Sequence, residues 1–304
     1  MSRGRSSSTG EEARRLRSTP NMALLLMRVG ASALPGASRL PLGGPARGGS
    51  ALAGGLVLEE VAPRRERLTA YARVCGFRLG DRLPATYPHV LAFPLQLALM
   101  SDPSFPFSPL GLVHIHNRIT QHRPLAASER LALRVRCSGL APHPRGTQFA
   151  LLTEARVAGE LVWEEVSTHL RRGRGGEGGA APAVPSSAAL PMVACWRLPG
   201  ELGRRYAAVS GDWNPIHLHP LSARPFGFPR AIAHGMWTKA RCLAALEGRL
   251  PDAFTIEVAF RRPLALPATV HFAEALGDGA VSFGVRDARV GTVHLDGTIT
   301  PGRS

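Results

Sequence analysis

An internal repeat constrains the fold of this chain more than any other feature of its sequence. The segment 71–77 reads YARVCGF, and 135 residues later the segment 206–212 reads YAAVSGD. A second pair, HRPL at 122–125 and RRPL at 261–264, follows in the same order at an offset of 139 residues. Such self-similarity indicates two copies of one supersecondary unit that bury their apolar faces together. We therefore expect a duplicated fold.

Two stretches rich in Gly, Pro, Ser and Arg delimit the two copies. Residues 1–55 show no sustained hydrophobic period, so we predict a disordered N-terminal extension there. Residues 171–189 contain RRGRGGEGG and then a Pro/Ala/Ser run, which is typical of a linker. The first copy then spans 56–170, and the second spans 190–304 of the 304 residues.

Each copy has the same predicted plan. A short helix contains the tyrosine of the repeat, and a longer helix follows, over about 89–100 in the first copy and 233–247 in the second. Strands come next, in the second copy over about 253–262, 267–276, 279–287 and 290–299. One long helix followed by antiparallel strands is an α+β pattern, in which the helix covers the buried face of the sheet.

The charge of the chain narrows its possible partners. The formal net charge is +15, but Lys239 is the one lysine among 37 basic residues and the arginines are scattered. No basic stripe alternates with aromatic residues, so we do not expect nucleic-acid binding. A positive field still favours an anionic ligand such as a phosphorylated carrier.

The cysteines and the apolar segments indicate a location. Four cysteines (Cys75, Cys137, Cys195 and Cys242) form no C-x-x-C pair, which favours a reduced, cytoplasmic setting. No apolar run approaches the length of about 20 residues that a membrane-spanning helix requires. We therefore predict a cytoplasmic protein that has no membrane partner.

The segment SGDWNPIH at 210–217 carries the chemistry. Asp212 follows a glycine and precedes Asn214-Pro215, which places it in a tight turn. Pro215 disfavours helix at the residue before it, so His217 lies just past a rigid bend and can fold back towards Asp212. A carboxylate and an imidazole in one pocket can hold a water molecule and exchange protons with it.

A second segment, AHGM at 233–236, marks the start of the longer helix in the second copy. The backbone N–H of Gly235 is free there and can approach a ligand oxygen closely. The helix dipole adds to the preference for negative charge at that point. Either segment alone is ordinary turn or helix-start chemistry, but the two in this order indicate a catalytic site.

Other chemistries are less well supported. His114 and His116 are spaced to share one face of a strand, and His217 and His219 have the same spacing. Two imidazoles without a third ligand make a poor zinc site, so we expect no metal. Ser210 has no base beside it, and the Gly-x-Ser-x-Gly elbow is absent, which argues against a serine hydrolase.

Residues 206–223 resemble the motif of the MaoC-like (R)-specific enoyl-CoA hydratases, also called hydratase 2, which have the hot-dog fold. That motif is an aromatic residue, a spacer, Ser-Gly-Asp-x-Asn-Pro-Ile-His, five residues and a small residue, and every defined position matches. The segment 227–236 is similar to the continuation of the motif. His219 departs from the acidic or polar residue expected at its position. The resemblance implies an α+β double hot-dog, with two long helices each wrapped by an antiparallel sheet.

The resemblance also implies roles for particular residues. Asp212 and His217 would be the catalytic pair, Asn214 would orient them, and Gly235 would supply an oxyanion N–H. The remaining predicted site residues belong to the substrate-binding surface: Gly211, His234, Met236, Arg261 and Arg262. The two arginines either hold carrier phosphates or form a solvated strand end.

The repeat assigns a different task to the first copy. At the offset of 135 residues, Phe77, Leu79 and Arg82 occupy the positions of Asp212, Asn214 and His217. One active site per chain is therefore expected, and the first copy is free to house an acyl tail. The apolar run 91–100 is either a wall of that tunnel or ordinary helix core.

The implied activity is reversible hydration of 2-enoyl thioesters to (3R)-hydroxyacyl thioesters. CoA or an acyl carrier protein would carry the substrate through its phosphopantetheine arm, and no metal or redox cofactor is needed. Two alternatives remain open. One is a thioesterase, because hot-dog sheets host both reactions. The other is a non-catalytic protein that binds acyl thioesters. The expected assembly is a monomer or a homodimer of double hot-dogs.

Overall fold

One sheet of twelve strands runs through both copies in the computed structural model, which describes residues 13–31, 54–178, 184–277 and 279–302. The strands of the first copy are β1 (Arg14–Leu16), β2 (Leu56–Val61), β3 (Leu112–Gln121), β4 (Leu131–Cys137), β5 (Ala141–His143), β6 (Gly146–Val157) and β7 (Glu160–Arg172). Those of the second are β8 (Met192–Leu198), β9 (Phe254–Phe260), β10 (Ala268–Gly277), β11 (Ala280–Asp287) and β12 (Val293–Pro301). Their order is β1-β2-β4-β6-β7-β3-β9-β12-β11-β10-β8, with β5 beside β6.

Six α-helices accompany the sheet within the described ranges. They are α1 (Met22–Ala31), α2 (Arg65–Cys75), α3 (Tyr87–Met100), α4 (Leu202–Ser210), α5 (Pro220–Ala223) and α6 (Gly235–Leu246), and short 3-10 turns cover Pro215–His217 and Arg224–Phe226. Helix α3 is buried along most of its length, and α6 is the corresponding long helix of the second copy. The predicted α+β double hot-dog is confirmed. None of the described helices has the length and apolar character needed to cross a bilayer.

The two copies meet along β3 and β9, which pair antiparallel from His116 opposite Ala259 to Gln121 opposite Phe254. These are equivalent strands, since each follows the long helix of its own copy. The tyrosines that begin the repeat also meet, with the ring centroids of Tyr71 and Tyr206 6.1 Å apart. The repeated elements therefore face each other across the junction, as two subunits of a symmetric dimer would.

The prediction of disorder over residues 1–55 is wrong for residues 13–31. Strand β1 pairs in parallel with β2, and α1 buries Leu25 and Val29 against the core. The apolar run at 23–27 is short, but Leu25 and Val29 are four residues apart and thus share one helix face. Residues 1–12 and 32–53 lie outside the described residues.

The boundary of the predicted linker also shifts. Strand β7 continues through Arg172, so residues 171 and 172 belong to the first copy. Near the other end of the predicted linker, Ser187 is buried, and its backbone N–H and hydroxyl both donate to the carboxylate of Asp296 on β12, at 2.7 and 2.6 Å. The connection between copies is therefore shorter than the composition indicates.

A cluster of buried polar side chains lies where the copies join, and we call it the junction cluster: His89, Gln96, Asn117, Glu165 and Lys239. Glu165 is fully enclosed and accepts hydrogen bonds from His89 Nδ1 (2.9 Å), Asn117 Nδ2 (2.7 Å) and Gln96 Nε2 (3.2 Å). Behind it, Lys239 Nζ donates to the side-chain oxygen of Asn117 and to the Ile256 carbonyl.

The charges of the junction cluster depend on one another. Burial would raise the pKa of Glu165, but the charge and hydrogen bond of His89 and the hydrogen bond from Asn117 outweigh burial and lower the pKa below its usual value. Burial lowers the pKa of Lys239 to about 7, against the opposing effect of Glu165 and Glu257. Glu165 therefore remains ionised at neutral pH, although it lies entirely out of solvent.

Candidate active site

The turn that carries Asp212 begins where α4 ends. Gly211 adopts the left-handed conformation (φ +86°) and donates its N–H to the Ala207 carbonyl, which stops the helix. Asp212 then donates its N–H to the Ser210 hydroxyl oxygen at 3.2 Å, and its own carboxylate accepts the N–H of Asn214 at 3.2 Å. These local bonds fix the carboxylate at the cleft, where it is about one-third exposed.

Asn214 acts on His217 through the backbone. Its side-chain oxygen accepts the N–H of Ile216 at 3.4 Å and so caps the 3-10 turn Pro215–His217. Pro215, the first residue of that turn, has the φ that such a start requires. The capped turn presents the His217 ring on the same side as Asp212, which gives physical content to the predicted orienting role of Asn214.

His217 is held in one tautomer. Its Nδ1–H donates to the Ile232 carbonyl at 2.8 Å, so Nε2 carries the lone pair. Burial lowers the pKa of His217, and the nearby Asp212 carboxylate offsets only part of that effect. The ring is therefore neutral at pH 7, and Nε2 is available to accept a proton from water.

The ring of His234 packs against that of His217 and helps to hold it in place. Its ring stacks on that of His217, with centroids 3.7 Å apart and planes inclined by 25°. Its Nε2–H donates to the backbone carbonyl of Asp212 at 3.0 Å. Burial, followed by the neighbouring His217, lowers the pKa of His234 to about 3, so this ring stays neutral. His234 was predicted as a substrate-binding residue, and the structure shows it bracing both members of the pair.

Ligand atoms of Asp212, His217 and His234 all lie within 4.8 Å of one another, a spacing at which three groups could share a metal ion. A histidine binds a metal along a lone pair in the plane of its ring, at a distance of about 2 Å. The two rings are stacked, so their lone pairs run side by side and do not converge on one ion. The group fits a hydrogen-bonded acid/base site better than a metal centre.

Gly235 is the first residue of α6, and its N–H has no acceptor within the helix. A side chain would not fit here, because an added Cβ would lie only 2.9 Å from the ring of Phe260. The glycine thus lets the helix start approach the Phe260 ring closely, and the positive end of the helix dipole lies at the cavity wall. Met236, the next residue, is buried and lines the same cavity.

The cavity next to the pair has a volume of about 360 Å³, and both copies line it. Helix α3 contributes one continuous face, made of His89, Val90, Phe93, Gln96, Leu97 and Met100. Leu26 and Val29 of α1 extend this apolar wall. Ala98 does not line the cavity, so only part of the predicted 91–100 segment does.

Basic residues line the cavity at one end of the central strands, where β7 and β9 end and β3 begins. They are Arg145, Arg172, Arg261, Arg262 and His294. Arg261 is largely occupied by protein, because its guanidinium donates to Asp296 and to the Val184 carbonyl, both at 2.7 Å. Its predicted role in holding phosphate is thereby reduced, whereas Arg262 is exposed.

Gly211 does not line the cavity, contrary to its prediction as a substrate-binding residue. Its left-handed φ explains why glycine is needed, since other residues adopt that conformation at a cost. A Cβ there would lie 3.3 Å from the guanidinium of Arg67 and 3.8 Å from the ring of Phe93, both in the first copy. Its function is to end α4 and to let the catalytic turn lie against the first copy.

The equivalent positions of the first copy hold different groups. Phe77 is buried and stacks on Tyr71, Leu79 is 59% exposed, and Arg82 pairs with Asp252 at 2.9 Å. These three side chains form no carboxylate–imidazole pair.

Sequence reasoning missed the contribution of His114 to the cavity. A bulge in β3 between His114 and His116 breaks the two-residue alternation, so the two rings do not share a face as predicted. His114 stacks on His169 and lines the cavity, whereas His116 bonds Glu257 at 2.9 Å. Neither His89 nor His169 carried a local signal, because the packing of α3 on the sheet brings His89 to the cavity and the pairing of β7 with β3 brings His169 there.

Known proteins resemble this chain over the site and beyond it. The MaoC-like domain family matches residues 201–298. The 3-hydroxyacyl-thioester dehydratase X of Mycobacterium tuberculosis is 39% identical over 246 residues, which is 80% of this chain and 88% of the relative. The peroxisomal enoyl-CoA hydratase 2 of Arabidopsis thaliana is 28% identical over 47% of this chain and 52% of its own length.

A solved structure gives the same picture. The crystal structure of HtdX from Mycobacterium tuberculosis superposes with a TM-score of 0.73 at 39% sequence identity, covering 81% of this chain and 99% of that one. The similarity therefore extends over both copies of the repeat.

Proposed function

The chain belongs to the MaoC-like dehydratase family, and we propose that Asp212 and His217 are the acid/base pair of its reaction. It is a hydro-lyase that hydrates and dehydrates acyl thioesters, interconverting 2-enoyl and 3-hydroxyacyl forms. The observation that carries the proposal is the position of His217, whose unprotonated Nε2 lies beside the Asp212 carboxylate in a cavity that α6 enters with its N-terminus.

In the hydration direction, Asp212 and His217 hold one water molecule between them. The water oxygen forms a bond to C3 while one of its protons moves to the pair, His217 Nε2 being the open acceptor. The electrons of the double bond shift towards the thioester oxygen, and the N–H of Gly235 stabilises the negative charge there. A proton from the pair then reaches C2, and dehydration is the reverse sequence.

The substrate handle is CoA or an acyl carrier protein. Its phosphopantetheine arm would enter where β9 ends, past Arg262, and its phosphates would be held there by charge. No metal or redox cofactor is required for this chemistry. We propose a cytoplasmic location, because the four cysteines of the enzyme are free. We also propose that the enzyme is a monomer or a homodimer of double hot-dogs.

The test is an absorbance assay of the conjugated double bond with crotonyl-CoA and longer 2-enoyl-CoAs. Hydration removes the conjugation, so the absorbance should fall to an equilibrium value. A parallel assay for free thiol should stay silent, since a thioesterase would release CoA. Thiol release in place of hydration would favour the thioesterase. Binding of the thioesters without any reaction would favour a non-catalytic binding protein.

We expect Leu97→Phe to reduce kcat/KM for 2-decenoyl-CoA about tenfold more than for crotonyl-CoA. Leu97 lines the cavity, and overfilling a packed wall costs about 1–3 kcal/mol, where 1.4 kcal/mol is about tenfold. A short substrate would not reach this wall. The measurement is the ratio of the two kcat/KM values.

Leu91→Phe is the matched control, because Leu91 makes the same helix but does not line the cavity. In the Leu91→Phe variant, the ratio of kcat/KM for 2-decenoyl-CoA to kcat/KM for crotonyl-CoA should equal that of the unmodified enzyme. Equal losses on both substrates in a folded Leu97→Phe variant would mean that this part of α3 is ordinary core and that the tail lies elsewhere.

A further inference from the structure

The part of the cavity that lies in the first copy is not uniformly apolar. Apart from the basic residues Arg145 and Arg172, four polar side chains line it, and we call them the polar subsite: His89, Gln96, His114 and His169. None of them belongs to the catalytic turn. All four come from α3, β3 and β7, the elements that would surround the acyl chain.

His89 is held so that one nitrogen is free for a ligand. Its Nδ1–H is used by the Glu165 carboxylate, whose two oxygens lie 2.9 and 3.0 Å away. Glu165 in turn is fixed by Asn117 and Gln96. The ring therefore cannot turn easily, and no group in the described ranges forms a hydrogen bond with its Nε2.

His114 and His169 form the second part of the polar subsite. Their rings stack with centroids 4.7 Å apart, and His114 also packs on Phe260, the ring that lies against Gly235. His169 donates its Nδ1–H to the Ser167 carbonyl at 3.2 Å, so its Nε2 is an acceptor. His114 Nε2 is buried and has no partner among the residues that the structure describes.

These nitrogens distinguish between kinds of acyl chain. A plain hydrocarbon chain would leave these nitrogens unpaired, at a cost of about 1–3 kcal/mol for each group. A hydroxyl group both donates and accepts, so it can pair with an imidazole nitrogen in either tautomer. A buried site that hydrogen-bonds a substrate hydroxyl also discriminates strongly against an analogue that lacks this hydroxyl. An apolar wall discriminates less strongly against an analogue that carries an additional hydroxyl.

We propose that the polar subsite binds a hydroxyl group on the acyl chain, beyond the carbons that react. The preferred substrates would then be 2-enoyl and 3-hydroxyacyl thioesters that carry a further hydroxyl on the tail. This proposal rests on the proposed function, because it requires the acyl chain to enter the first copy.

The experiment compares 2-decenoyl-CoA with its positional hydroxyl isomers on the purified full-length enzyme. At least one isomer should show a kcat/KM about tenfold or more above that of the plain chain, the scale of one or two hydrogen bonds. In the His114→Phe variant, the ratio of kcat/KM for the hydroxylated chain to kcat/KM for the plain chain should fall towards one. The reason is that phenylalanine keeps the stacking on His169 and Phe260 but offers no nitrogen. His122→Phe, a surface change outside the cavity, should keep the full preference.

His169→Phe provides a second variant, which retains the ring contact with Phe149. The test therefore needs only one of the two variants to fold. Circular dichroism identifies the folded ones. Equal kcat/KM for plain and hydroxylated chains would overturn the polar subsite and leave the hydratase assignment intact, as would a preference that persists in a folded variant. Failure to hydrate any enoyl thioester, crotonyl-CoA included, would instead remove the proposed function itself.

Discussion

Asp212→Asn and His217→Ala are each expected to lower kcat by about a hundredfold or more, the usual scale for the loss of an acid/base group. Asparagine retains the side-chain oxygen that accepts the N–H of Asn214, so the turn should survive and only the basic carboxylate is removed. His217→Ala removes the Nε2 acceptor. Initial rates with crotonyl-CoA measure both effects, and thermal unfolding reports whether the fold is kept.

Asp287→Asn is the matched control for the carboxylate. Asp287 also accepts backbone N–H groups within a turn, those of Arg289 and Val290 at 2.8 and 2.9 Å, but it does not line the cavity. Its replacement should leave kcat unchanged. Near-normal turnover by a folded Asp212→Asn or His217→Ala enzyme would exclude that residue from the reaction.

Removal of Glu165 should have the largest effect on stability. Glu165→Ala leaves His89, Asn117 and Gln96 buried without their common acceptor, and loss of one partner from a buried ionic group costs about 3–5 kcal/mol. The free energy of unfolding in urea is the measurement. Glu164→Ala is the control, because the adjacent side chain is 47% exposed and pairs with His122 only at 3.5 Å. It should change stability by less than about 0.5 kcal/mol.

The pH dependence gives the Glu165 prediction a second readout. Its pKa is lowered in the folded protein, so its contribution is fully present above the pKa of the unfolded chain. That contribution is lost as the pH falls through the lower folded value. The stability difference between the two proteins should therefore shrink on acidification below about pH 4.5. A difference that is small at pH 7 would mean that His89 and Asn117 find other partners.

The turn that carries Asp212 could be predicted from sequence because its geometry is local. Gly211 ends a helix, Asp212 and Asn214 bond their neighbours, and Pro215 starts the next turn, all within seven residues. The repeat predicted the joined copies for a related reason. Two similar units of this length can hide their apolar faces only by pairing with each other.

The remaining features depend on contacts between distant residues. The bracing role of His234 requires the Asp212 loop to lie over the start of α6, and the polar subsite requires β3 and β7 to be neighbours. Because of the bulge in β3, His114 does not share a strand face with His116 as predicted. Composition indicated disorder near the N-terminus, since it averages over a window and misses a single apolar helix face such as that of Leu25 and Val29.

The pairing of β3 with β9 joins two units that are already parts of one chain. Their encounter is intramolecular, so the local concentration is set by the connecting segment and does not fall when the protein is diluted. A cavity with walls from both units is then complete in every folded molecule, at any cellular abundance. One gene can also alter the wall that faces the acyl tail without altering the wall that faces the reacting carbons, a freedom that a dimer of identical subunits does not have.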